Sequence, residues 1–176
     1  MKVLKYIALA LFALIGILLV IGLCMPKVWS VERSTVVSAE AAKIHPHVGN
    51  LEGWPKWMPW MEEDPAMQLS FEGTAGAAGQ KMIWKSEKMG NGSLTAVKSD
   101  AATGLEYVMR MEEMSEEAHG SICYAKEGGG TRVTWKDEGT LGGNPFMRLM
   151  GPLMEGMMND YFDRGLAKMK ALAEQG

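Results

Sequence analysis

The twenty residues from Tyr6 to Met25, YIALALFALIGILLVIGLCM, carry no charge, and no other feature constrains the chain as much. At 1.5 Å per residue such a run makes a helix of roughly 30 Å, the thickness of a bilayer's hydrocarbon core. Pro26 and Lys27 end it. A secretory signal has a shorter apolar stretch, about 7–15 residues, and small residues at its cleavage point. The exit Gly22-Leu23-Cys24-Met25-Pro26 lacks that pattern, and Leu23 is larger than the residue that precedes a lipidated cysteine. Residues 1–26 are therefore expected to be an uncleaved, single-pass anchor in the cell membrane, crossing through residues 6–25. Lys2 and Lys5 precede the run and no acid does. The positive-inside rule then places everything after the run on the non-cytoplasmic side, periplasmic or extracellular, against the weaker pull of Lys27 and Arg33.

About 150 residues remain, enough for one core, so residues 27–176 are expected to form one domain. With Lys2 and Lys5 set aside, this part holds 16 basic and 21 acidic residues, a balance of −5. An acidic domain without a basic cluster has no footprint for nucleic acid, nor the polybasic signal for anionic lipid. The two cysteines, Cys24 in the apolar run and Cys123 in a strand pattern, are not expected to pair.

Val28–Val37 is rich in β-branched residues and reads as a strand. Ser38 is a candidate N-cap for helix over residues 39–50, with Pro46 opening a second short helix or a kink. Gly53–Trp60, GWPKWMPW, packs three tryptophans and two prolines into eight residues, which predicts an irregular loop with its rings folded inward. Period-two patterns follow around Leu69 and Phe71, Met82 and Trp84, Leu94–Lys98, Leu105–Glu112, Ala118–Lys126 and Arg132–Glu138. Gly90-Asn91-Gly92 signals a hairpin turn, with Asn-Gly supporting positive φ. Asn144-Pro145 reads as an N-cap with proline at the first helical position, opening a long helix. On it Phe146, Leu149, Met150, Leu153, Met154, Met157, Met158, Tyr161, Phe162, Leu166, Met169 and Leu172 recur at spacings of three and four, with a kink expected at Gly151-Pro152. One strand, short helices, about six strands and a long amphipathic helix predict an α+β domain, an antiparallel sheet curved around that helix.

The stretch Val31–Trp60, with its arginine-bearing strand, its alanine-rich start to the helices and its Trp54-Pro55-x-Trp57-x-x-Trp60 loop, resembles the START-like (SRPBCC) superfamily of polyketide cyclases and lipid-transfer proteins. Gly130–Trp135 and Asp163–Leu172 resemble that family's last strand and the end of its long helix. The resemblance spans roughly residues 27–174 and is greatest to bacterial members with one N-terminal membrane helix. It implies the helix-grip fold, an antiparallel sheet of about seven strands around a long C-terminal helix with a cavity between them.

Chemistry-bearing clusters are sparse. His45-Pro46-His47 has no convergent third ligand of the kind a metal site needs. Glu62-Glu63-Asp64, Glu112-Glu113 and Glu116-Glu117 read as solvated surface. No Ser/His/Asp set or phosphate loop stands out, so no catalytic residue, metal or cofactor is assigned. Methionine is abundant, 16 of 176 residues, and its flexible thioether suits an adaptable apolar wall, although core packing accounts for a methionine stripe equally well. If a cavity is present, Met150, Met154, Met157 and Met158 line it from the long helix, Met82, Trp84, Tyr107, Met109 and Tyr124 from the sheet, and Trp57 and Trp60 from the entrance loop. The expected function is a membrane-anchored binding module for a hydrophobic small molecule or lipid. A cyclase-like or hydrolytic enzyme of the same superfamily, and a ligand-free interaction or assembly protein, are the alternatives. The sequence identifies no protein partner.

Overall fold

The computed structural model describes residues 2–114 and 116–175; Met1 and Gly176, the outer ends of the two segments expected above, lie outside them. The apolar run forms helix α1 (Lys2–Cys24), exposed along its length except at Gly22. Three residues later the chain enters β1 (Val28–Val37), followed by α2 (Ala41–Val48), a 3-10 helix (Leu51–Lys56), α3 (Trp60–Glu63), six strands and α4 (Pro145–Gln175). The strands are β2 (Gln68–Glu72), β3 (Lys81–Lys85), β4 (Gly92–Asp100), β5 (Gly104–Met111), β6 (Glu117–Glu127) and β7 (Gly130–Thr140).

All seven strands form one antiparallel sheet in the order β1-β7-β6-β5-β4-β3-β2. The pairing of β1 with β7 brings the two ends of the domain together, and α4 packs across the sheet against β1 and α2. This is the helix-grip arrangement. Alternation along β5 and β7 sends Leu105, Tyr107, Val133, Trp135 and Asp137 inward, as the period-two pattern requires. Asn144 caps α4 as expected, its Oδ1 accepting from Phe146 N at 2.9 Å.

Four local expectations need correction. The tryptophan-rich stretch is helical in its first half and irregular, as expected, only over residues 57–59: Asn50 Oδ1 accepts from Glu52 N at 3.1 Å and starts the 3-10 helix, with Pro55 in its last turn. Pro46 lies inside α2 instead of opening a new helix, since an eight-residue helix loses only one internal bond to it. The N-cap position belongs to Glu40, whose side chain makes no capping bond, while Ser38 N donates to Glu174 Oε1 at 2.7 Å and ties the end of β1 to α4. The β3–β4 turn spans six residues: Gly90 takes the positive φ (77°), and Asn91 Oδ1 instead caps Ser86 N at 3.1 Å.

Candidate functional site

The space between sheet and helix is filled with rings. Trp135 stacks on Phe162 of α4, centroids 3.9 Å apart and planes 7° from parallel. Trp57 meets Trp135 edge-on at 5.4 Å, and Trp54 meets Tyr107 edge-on at 5.4 Å. A buried indole needs a partner for its N–H, and α2 supplies both: Trp54 Nε1 donates to Val48 O at 2.7 Å and Trp57 Nε1 to His47 O at 2.9 Å. The Met-lined hollow expected between α4 and the sheet is thus occupied by the chain's own aromatic side chains. Beneath the stack, Trp135 Nε1 donates to Tyr107 Oη at 2.7 Å, and Tyr107 donates a short bond to Asp137. A Cβ at Gly120 would overlap both the Tyr107 ring and the Asp137 carboxylate, so this pair requires glycine there. Burial pushes the Asp137 carboxyl up to about 7, against the pull of the Tyr107 and Trp135 bonds.

An apolar void lies at the sheet's far edge, under the 3-10 helix and α3. It measures about 10 Å³ and is walled by Trp54, Trp60 and Trp84, by Met58, Met61, Met67 and Met82, and by Pro55 and Leu69. Ten cubic ångströms is about one water's worth of room, whereas ligand pockets run to roughly 300–1,000 Å³. The wall carries no ionisable group, and four of its nine members are methionines, which change shape at little cost. Trp60, Met61, Met67 and Leu69 are only half-buried, so this wall reaches the surface.

The pocket's position follows from register. Leu69 pairs with Trp84, Trp84 with Gly92 and Gly92 with Met111. The neighbouring pairs Arg110–Glu117, His119–Glu138 and Thr140–Val28 continue along the same end of the sheet. Val28 opens β1 just after α1, so the pocket lies at the end of the sheet from which the apolar helix departs.

The residues expected to line a cavity are dispersed. Trp60, Met82 and Trp84 meet at the void. Trp57 and Tyr107 are in the ring stack. Tyr124 lies elsewhere, its hydroxyl 3.2 Å from His45 Nδ1, with His45 Nε2 3.1 Å from Ser99 Oγ. Met109, Met154 and Met158 are partly buried against the core. Met150 and Met157 face outward, 37% and 57% exposed.

The model of a family described as "polyketide cyclase / dehydrase and lipid transport" matches residues 28–174. The chain belongs to that family. Among solved structures similar to it, Ara h 8.0201 has a TM-score of 0.60 at 15% identity, over 85% of this chain and 99% of that one. A protein from Chromobacterium violaceum has a TM-score of 0.59 at 13% identity, over 82% and 96%. The di-domain ARO/CYC StfQ from the steffimycin biosynthetic pathway has a TM-score of 0.61 at 13% identity, over 84% of this chain and 51% of StfQ. At these identities the likeness is one of fold. No curated protein matched the sequence.

In this family member the sequence reading missed Pro55, Met58, Met61, Met67 and Leu69 as members of this wall. These come from a 3-10 helix, the link after it, a four-residue helix, the turn before β2 and a short edge strand, where periodicity has too few residues to act on. The available signal was compositional: Met58 inside the tryptophan-rich stretch and Met61 and Met67 just after it.

Proposed function

We propose that this protein is a membrane-anchored binding module for a hydrophobic small molecule or lipid, taken up where Met58, Met61, Met67 and Met82 now close the apolar pocket. In this reading α1 crosses the membrane, residues 27–176 form the domain on the non-cytoplasmic side, and uptake displaces methionine side chains and Trp60. The observation that carries it is an all-apolar, methionine-rich wall that reaches the surface at the end of the sheet adjoining α1. Membership of a family whose description includes lipid transport supports it. A cyclase-like or hydrolytic role finds less support, since the pocket wall holds no acid or base and the buried Asp137 is engaged by Tyr107 within the ring stack.

The test is saturable binding of a fluorescent fatty-acid probe to the detergent-extracted full chain, with native mass spectrometry for co-purified lipid. Met61→Glu and Met67→Glu replace half-buried positions at the rim, where a charge is tolerated in the unliganded fold but unpaired against an apolar ligand. Each should weaken probe binding by about tenfold or more. An unchanged affinity in both variants, or neither probe binding nor bound lipid in the parent protein, rejects the reading.

A further inference from the structure

The first three turns of α4 carry a second apolar stripe, on a different face from the one in the core. Phe146, Met150, Leu153 and Met157 are 60%, 37%, 59% and 57% exposed, and their spacings of four, three and four put them in one row along the helix. This exposure persists although α1 packs against α4. Between Pro145 and Asn159 the sequence has only two charged residues, and both turn toward the rest of the chain. Arg148 is buried, donating from Nε to Gly142 O at 3.1 Å and from a terminal nitrogen to Leu23 O at 3.2 Å. Glu155 Oε1 accepts from Ser30 N at 3.4 Å.

The row's location selects its occupant. Gly22, in the last turn of α1, lies so close to Pro145 that a Cβ would overlap the proline carbonyl, and Arg148 bonds the last-turn carbonyl of Leu23. The start of α4 is therefore fixed to the part of α1 that leaves the bilayer. An apolar row of about 16 Å beginning there matches the headgroup–acyl boundary, where interfacial helices bury their apolar face to a depth of about 5–10 Å. We propose that Phe146, Met150, Leu153 and Met157 insert into the leaflet from which α1 emerges, making the first half of α4 a second membrane contact. With no exposed Lys or Arg in this segment, the contact depends on apolar burial and needs no anionic lipid. The proposal rests on the reading that α1 spans the membrane.

The experiment uses the full chain with Cys24→Ser and Cys123→Ser, reconstituted in phosphatidylcholine vesicles. Single cysteines introduced by Phe12→Cys, Leu153→Cys, Met157→Cys and Ala171→Cys carry an environment-sensitive fluorophore, and brominated phosphatidylcholine serves as quencher. The expected result is a blue shift with loss of emission at positions 12, 153 and 157, and none at 171. Quenching at 12 without quenching at 153 and 157 overturns the proposal while leaving the spanning helix intact. A blue shift at 153 and 157 that bromolipid does not quench means that protein covers the row, which also overturns it. Equal quenching at 171 shows non-specific association and overturns it as well. No quenching at position 12 removes the spanning helix, and the proposal with it.

Discussion

The two halves of α4 are built from similar apolar residues and meet opposite surroundings. In the second half Phe162, Leu166, Met169 and Ala173 are buried against the sheet. In the first half Phe146, Met150, Leu153 and Met157, spaced identically, face outward. Sixteen residues at about 100° each carry Phe162 some 160° around the axis from Phe146, so the two rows lie on nearly opposite sides. Charge distinguishes the halves. Asp163 pairs with Arg33 of β1, Arg164 with Glu62 and Glu63 of α3, and Lys168 with Glu62. These tethers hold the second half across the sheet, while the first half is held by Gly22 and Leu23 of α1. An apolar row specifies that it avoids water; its neighbours decide what replaces the water.

The comparison breaks most directly at Phe162. Phe162→Ala removes a buried ring stacked on Trp135 and should cost about 3–5 kcal/mol in denaturant unfolding of the detergent-solubilised protein. A loss no larger than that from a surface substitution would erase the distinction between the halves.

A second effect arises in the wall behind that stack. Burial raises the Asp137 carboxyl from its ordinary 3.8 to about 7, so the folded state holds this proton more tightly than the unfolded chain. The resulting stabilisation is complete below pH about 4 and disappears as pH rises through 7, at most about 4 kcal/mol over the interval. Asp137→Asn should flatten that part of the stability–pH profile. A profile unchanged by the substitution would place the proton elsewhere.

The tether between β1 and α4 gives a smaller effect. Arg33 is an exposed partner of Asp163, whose carboxylate raises the guanidinium's pKa above its ordinary value, and solvent screens the pair. Arg33→Ala should lower the melting temperature slightly, and the difference should shrink in high salt. The smallest effect belongs to the first half: Leu153→Gln should alter unfolding in detergent by no more than about 0.5 kcal/mol. A large loss there would show that this row stabilises the domain itself.

Much of the architecture was legible because alternation is a local signal. Leu105 and Tyr107 point inward as the pattern of β5 requires, and Asn144-Pro145 marks the start of α4. The direction of the α4 stripe was not legible. Thirteen large apolar residues from Phe146 to Leu172 cover so much of the helix that periodicity no longer selects one face, and the partners that orient each half lie more than a hundred residues away in Arg33, Glu62 and Leu23. The pocket was hidden for a different reason. Trp54 and Trp57 fold inward as expected, but what seats them in the centre is α2, which offers carbonyls to their indoles, and an apolar void is left at the edge under Met58, Met61 and Met67.

Only Met25, Pro26 and Lys27 separate α1 from β1, and the last of these already has its carbonyl bonded by Leu141 N at 2.7 Å and by the Thr140 hydroxyl at 3.1 Å. Three residues reach about 10 Å even fully stretched, and these are not free to stretch. Under the proposed membrane-bound reading, a domain so mounted is a fixed post rather than a ball on a chain, and any ligand it takes has to be brought to it and collected from it.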